Sequence, residues 1–247
     1  MKAELYALTH RGNAGDVAFY AQVCRGARRV LELGSGSGRI LSALAGAQRS
    51  LVGLELDRDL LALARRSVRA LPAPKRKAIR LVHADMRDFE FPERFERVLL
   101  PYNALYCLLT RRAALACFRA ARRALEPGGK LALDVWNAEP FARSSGRATA
   151  DDTAPIVSVR HGGRTYDVFE RSRVRRAQHR LDVSYVYVPR EGGTAYQTSI
   201  AQRYFLPTEV DELLQRAGFA VEKRFGDFLG SRFGARSEQL VVVARAV

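Results

Sequence analysis

The chain has 247 residues, 41 basic and 26 acidic, and a formal charge of +15. Hydrophobic residues make up 47%, enough for a full core, and no apolar run approaches the roughly 20 residues of a membrane span. Cys24, Cys107 and Cys117 are unclustered, which excludes a disulfide framework and a cysteine-built zinc or iron–sulfur site.

The first ten residues, MKAELYALTH, lack an apolar signal region, so a cytoplasmic protein with no membrane partner is expected. A helix is predicted from Asp16, as its N-cap, to about Gly26, carrying Phe19 and Tyr20. Residues 30–40 read VLELGSGSGRI. Val30, Leu31 and Leu33 form a buried strand, three glycines follow at every second position, and Ile40, Leu41 and Leu44 recur with helical spacing. Such a strand–loop–helix brings bare N–H groups to the carboxyl edge of a parallel sheet. A dinucleotide loop reads G-x-G-x-x-G; here the pattern is Glu32-x-Gly34-x-Gly36-x-Gly38, a tighter series with an acid in the strand.

Ser50–Glu55 is a second buried strand ending in an acid, and Asp57 is placed to cap a helix over 58–70 whose leucines oppose arginines. A third strand is predicted over 79–85, with His83 inside it as a core residue and Asp85-Met86-Arg87-Asp88 at its tip. Phe95–Leu100 is the fourth strand, followed by Pro101-Tyr102-Asn103. A helix over 111–125 gives way through Pro127-Gly128-Gly129 to a strand over 131–135 that carries Asp134 and leads into Trp136. Asp134 is read either as facing the site or as holding its loop together.

Beyond Phe141 the pattern changes. Residues 144–152 are small and polar and read as loop. Residues 156–160 and 165–175 alternate around His161-Gly162-Gly163-Arg164, a hairpin signal, and 181–187 and 195–205 continue at period two. Arg171, Arg173 and Arg175 share one face of this antiparallel insert, either simply solvated or facing an anionic partner; His161 and His179 fall in its turns. A last helix is predicted with Thr208 as N-cap and Asp211 closing an approximate capping box. Strands over 220–225 and 239–244 end the chain, joined by a loop containing Phe228.

Glu32-x-Gly34-x-Gly36-x-Gly38, the acid ending GLELD, the Asp85 tip and LEPGGKLALDVWN, in this order, resemble the class I S-adenosylmethionine (SAM) methyltransferases. The resemblance implies an α/β fold: a Rossmann-like, seven-stranded, mostly parallel sheet with helices on both faces, plus an antiparallel insert over the active site. It divides the chain into a lead-in lid (1–29), a cofactor core (30–140), the acceptor-side insert (141–206) and a closing helix with two strands (207–247).

The implied cofactor is SAM, leaving as S-adenosylhomocysteine. Its expected contacts are Tyr20, Glu32, Gly34, Ser35, Gly36 and Gly38, then Glu55 and Leu56 at the ribose, Ala84, Asp85 and Met86 at the adenine, and Leu100 and Tyr102 at the fourth strand tip. Asp88 is the alternative to Asp85, and for Tyr20 and Tyr6 plain packing of the lead-in is the alternative. Tyr6, Asn103, Tyr106, Trp136, Tyr204 and Phe228 are expected on the acceptor side. No side-chain base is obligatory for attack on a sulfonium methyl; Asp134, Tyr106, Tyr102 and His10 are the candidates.

The expected reaction is methyl transfer to nitrogen or oxygen of a small molecule, by a monomer or homodimer. The alternatives are an RNA methyltransferase, which the charge admits, and a non-catalytic SAM-binding protein. Only five basic residues are lysines, the arginines are spread along the chain, and Leu99-Leu100-Pro101-Tyr102 is not the D/N-P-P-Y/F of amino-methylating DNA enzymes. No cysteine follows a proline, as a cytosine-C5 nucleophile would. Nucleic acid is therefore the less expected partner.

Overall fold

Apolar runs that alternate between two faces set the central sheet of this computed structural model, which describes residues 2–46, 48–143 and 154–247. The first half contains α1 (Lys2–Thr9), α2 (Asp16–Val23), β1 (Arg29–Leu33), α3 (Arg39–Leu44), β2 (Ser50–Glu55), α4 (Arg58–Arg69), α5 (Ala73–Lys77), β3 (Ile79–His83), β4 (Phe95–Leu100) and α6 (Arg111–Ala124). Then follow β5 (Leu125–Trp136), α7 (Ala138–Arg143), β6 (Val157–His161), β7 (Arg164–Arg175), β8 (Arg180–Pro189), β9 (Tyr196–Arg203), α8 (Pro207–Arg216), β10 (Phe219–Phe225) and β11 (Gln239–Ala246).

Seven strands form one sheet in the order β10-β11-β5-β4-β1-β2-β3. β1 to β5 run parallel, and β11 is antiparallel to both β5 and β10. Leu31, Leu33, Val98, Leu100, Leu131 and Leu133 point to one face, where they join Phe118 and Leu213 of α6 and α8. Val30, Leu51, Leu99 and Ala132 point to the other, beneath Tyr20 of α2 and Leu41 of α3. This period of two, apolar on both faces, is what a doubly covered parallel sheet requires. β6-β7-β8-β9 form a second, wholly antiparallel sheet. Its inner face buries Val159, Tyr166, Val168 and Tyr187 against Leu5 of α1. Arg171, Arg173 and Arg175 occupy the exposed face, where Arg175 pairs with Asp182.

Asp57 caps α4 as expected, its carboxylate accepting from the N–H groups of Asp59 and Leu60, both at 2.9 Å. Asp57→Ala is expected to cost about 1 kcal/mol, read as a shifted urea midpoint with unchanged slope.

Several local expectations are corrected. Gly15, at φ 83°, caps α2, and Asp16 instead forms a two-pronged ion pair with Arg39 at 2.9 and 2.5 Å. Leu206 caps α8, with the Glu209 carboxylate accepting from its N–H at 3.1 Å; Asp211 pairs with Arg224 at 2.5 Å. The turn at Pro127-Gly128-Gly129 is a bulge inside β5, where β4 advances from Phe95 to Arg97 while β5 advances from Leu125 to Lys130. His83 is exposed, its Nε2 donating to the Leu56 carbonyl at 2.9 Å, because β3 is the sheet edge. His179, at φ 52° in the β7–β8 turn, stacks on Tyr204 with ring centroids 4.8 Å apart. The loop expected over 144–152 lies outside the described residues. No helix among the described residues is long and apolar enough to cross a membrane.

Candidate active site

Strand order reverses at β1, which has β2 on one side and β4 on the other, so the loops leaving β1 and β4 diverge to opposite faces. An open α/β sheet has its crevice at such a point. Here it is a cleft of about 450 Å³ at the carboxyl ends of β1, β2, β3 and β4.

The loop after β1 gives the cleft its floor. Gly34, Gly36 and Gly38 have φ of 68°, 54° and 80°, a left-handed backbone in which side chains are strained. A Cβ on Gly36 would meet nothing within 4 Å, so the loop leaves open space there. The loop can sit this close to β2 because residue 53 is glycine: a Cβ on Gly53 would lie 2.4 Å from Leu41 Cδ1 and 2.9 Å from Ser35 Oγ.

Two buried acids stand in the floor. Glu55 accepts from the Gly36 N–H at 2.7 Å and the Asp57 N–H at 2.8 Å, while burial raises its carboxyl pKa. Glu32 is fully buried; burial pushes its carboxyl up to about 8, against the pull of nearby Arg39. Glu32 Oε2 and Ser35 Oγ are buried without a hydrogen-bond partner. An unsatisfied acceptor and hydroxyl in a cleft wall are costly unless a polar ligand completes them.

A second cavity, about 500 Å³, adjoins the first. Tyr6, His10, Tyr102 and Cys107 line both. The rest of its wall comes from Asn103, Trp136 and Phe141 at the main sheet and from inward-facing residues of β7, β8 and β9 such as Glu170, Tyr185 and Gln202.

The tip of β4 that divides the cavities is strained and braced. Tyr102 and Asn103 both have positive φ, 54° and 60°. Asp134 Oδ1 accepts from the Tyr102 N–H at 2.9 Å and from the Tyr20 hydroxyl at 2.5 Å. Asn103 Oδ1 accepts from the Trp136 N–H at 2.7 Å. Asp134 is fully buried, which pushes its carboxyl up to about 6. His10 Nδ1 lies 2.8 Å from the Tyr6 carbonyl. A carbonyl only accepts, so Nδ1 carries the proton and neutral His10 keeps its lone pair on Nε2. Burial lowers the His10 pKa, and Tyr6 and Tyr185 hold the ring at centroid distances of 3.9 and 4.6 Å.

Of the residues expected at the cofactor, Glu32, Gly34, Ser35, Gly36, Glu55, Leu56, Ala84, Met86 and Tyr102 line the cleft. Gly38 lies beneath it as the cap of α3, and Leu100 is wholly buried in the core. Tyr20 is fully buried and reaches the site only through Asp134. The Asp85 carboxylate is turned onto its own Arg87, whose Nε donates to both oxygens at 2.9 Å and lowers its pKa; Arg87, not Asp85, lines the cleft. Asp88 forms only a backbone bridge with Asp85 and does not line it either.

On the acceptor side Tyr6, Asn103 and Trp136 line the second cavity. Tyr106 and Tyr204 stand behind Trp136 as core, the Tyr106 hydroxyl donating to the Trp136 carbonyl at 2.7 Å. Phe228 packs on Phe19 in the other apolar layer, 5.8 Å between ring centroids, and lines neither cavity. Sequence reasoning missed Arg39, Arg87, Cys107, Glu170 and Tyr185; for the last two the available signal was a polar side chain at an inward strand position.

Known proteins share this arrangement. A family model described as a methyltransferase domain matches residues 30–129, from β1 into the bulge of β5. The structure of the CcbJ methyltransferase from Streptomyces caelestis superposes with a TM-score of 0.81 at 27% identity, over 96% of this chain and 98% of that one. The chain carries a methyltransferase domain. This methyltransferase is also similar to the dTDP-3-amino-3,6-dideoxy-alpha-D-glucopyranose N,N-dimethyltransferase of Streptomyces fradiae, 27% identical over 89% of this chain and 84% of the relative. SAM-bound CalS10, an amino pentose methyltransferase from Micromonospora echinaspora, superposes with a TM-score of 0.70 at 25% identity, covering 99% and 96% of the two chains.

Proposed function

We propose that this methyltransferase methylates the amine nitrogen of a small acceptor, with an amino sugar as the acceptor class. The observation that carries the reading is the pair of adjoining cavities sharing Tyr6, His10, Tyr102 and Cys107, one floored by the glycine loop and the other roofed by the antiparallel insert. A cavity of about 500 Å³ has the size of a small-molecule site. Two relatives whose chains this one nearly spans act, by name, on amino sugars.

The residues present fit the cofactor. The open left-handed loop at Gly34, Ser35 and Gly36 would take its amino-acid end on backbone N–H groups, with the free Glu32 Oε2 as acceptor for its ammonium. Glu55 would accept both ribose hydroxyls on its remaining lone pairs, and Leu56, Ala84 and Met86 would flank the base. The bound cofactor supplies an electrophilic methyl carbon with a neutral thioether as leaving group.

His10 takes the proton that an ammonium acceptor must shed before its lone pair can attack; it is neutral at pH 7, tautomer-fixed and on the shared wall. Asp134 and Tyr20 are positioning residues that hold the Tyr102 turn, since neither lines a cavity. Tyr106 is bonded into the core and has no part in proton transfer.

The reading is tested by measuring S-adenosylhomocysteine release with a panel of nucleotide-linked and free amino sugars beside matched hydroxyl sugars and phenols. Turnover confined to the amines is expected; turnover of hydroxyl acceptors only would overturn it. On the cofactor side, Gly36→Val strains the loop and fills the open space. It is expected to weaken S-adenosylhomocysteine binding at least tenfold in calorimetry with the fold intact.

A further inference from the structure

We infer that Glu170 is the anchor for a positive charge on the acceptor, so that the second cavity selects amines that arrive as ammonium ions. The inference rests on the amine reading above and adds the group that recognises the charge.

Along β7 the inward positions read Tyr166, Val168, Glu170, Ser172 and Val174, and Glu170 stands directly across from Tyr185 of β8. A carboxylate is out of place in this row, since the inner face of a two-layer sheet is ordinarily apolar. Its neighbours in the cavity wall include Val174, Leu181, Val183 and Ile200. The neighbours of Glu170 are neutral: Tyr185 is its cross-strand partner, and Ser172 Oγ lies 3.4 Å from its Oε1.

No Lys, Arg or His forms an ion pair with it among the described residues. Elsewhere Glu209 is held by Arg111 and Arg203, Asp167 by Arg190, and Asp182 by Arg175. An acid kept without a cation inside a cavity is completed by a cationic ligand.

The placement also suits the reaction. Tyr185, directly across from Glu170, packs edge-on against His10 with ring centroids 4.6 Å apart. An ammonium held by Glu170 therefore lies beside the group that removes its proton. That N–H bond breaks, the proton moves to His10 Nε2 to give imidazolium, and the nitrogen keeps the electron pair. A hydroxyl acceptor of the same shape gains nothing from the carboxylate, and Glu170 thereby sets specificity as well as affinity.

The test uses the full chain saturated with S-adenosylhomocysteine, titrated calorimetrically with dTDP-3-amino-3,6-dideoxyglucose and other amino sugars, and parallel initial rates with SAM. Glu170→Gln keeps the shape and the neutral neighbours but removes the charge. It is expected to raise Kd and KM for the amine about 10- to 100-fold with kcat changed far less, and Glu170→Asp to recover part of the loss. Thermal unfolding of Glu170→Gln is expected to match the wild type. Equal amine binding by wild type and Glu170→Gln, or an equal loss for the hydroxyl analogue, would overturn the role of Glu170 while leaving the amine reading standing. Failure of the wild type to bind or methylate any amine in the panel would overturn both.

Discussion

Replacing Glu55 by alanine is expected to weaken S-adenosylhomocysteine binding roughly 100-fold or more, measured by calorimetry at pH 7. In the free protein each carboxylate oxygen already accepts one backbone N–H, from Gly36 and from Asp57, and each retains lone-pair capacity toward the cleft. Both ribose hydroxyls would bond to it, and truncating one hydrogen bond to a charged group costs about 1.5–3 kcal/mol. Burial of Glu55 raises its pKa, so acidification neutralises it earlier than an exposed glutamate, and cofactor affinity is expected to fall on the acid side. The variant should remain folded, because Glu55 stands at the very end of β2 and belongs to neither apolar layer. Unchanged binding by a folded Glu55→Ala protein would remove Glu55 from the cofactor site.

Replacing His10 by glutamine is expected to lower kcat by about 10²- to 10⁴-fold while leaving S-adenosylhomocysteine affinity near the wild-type value. Its Nδ1–H is committed to the Tyr6 carbonyl, and its ring is clamped by Tyr6 and Tyr185. Burial opposes the imidazolium, so His10 holds its proton only at a pH below the ordinary value near 6.5. The wild-type kcat is expected to be level through neutral pH and to fall on acidification below that value; the acid limb should vanish in His10→Gln. The same depression makes the unfolded chain bind the proton first, so the His10 contribution to stability is present above about 6.5 and is lost as pH falls through the folded value. A His10→Gln enzyme with normal kcat would show that solvent or the acceptor alone disposes of the proton.

The parallel core was legible in the sequence because its signals are local. Ser50–Glu55 and Phe95–Leu100 are short strands with apolar cores whose bounds recur unchanged in the sheet, and Asp57 caps the helix after GLELD as its position implied. The hairpin at His161-Gly162-Gly163-Arg164 was equally plain, since two consecutive glycines between alternating runs admit few other structures. What the local pattern left open was which partner each side chain meets in the fold. Asp85 has the position of a base-reading acid, yet Arg87 two residues on satisfies it. Phe228, Tyr204 and Tyr106 are aromatic and follow strand tips or loops, but composition does not tell an aromatic that lines a cavity from one that packs behind it. Asp16 looked like a helix cap because its partner, Arg39, lies across the β1 loop. Glu170 and Tyr185 escaped notice because which face of the insert points inward is decided by docking against α1, outside either strand's own sequence.

The most direct test of where this methyltransferase binds its cofactor is a crystal structure grown with S-adenosylhomocysteine. Density is expected in the cleft bounded by Glu32, Gly36, Glu55 and Met86, with Tyr6, His10 and Tyr102 separating it from the cavity under the insert. Density confined to the cavity under the insert, or a cleft closed by side chains in the complex, would contradict that placement.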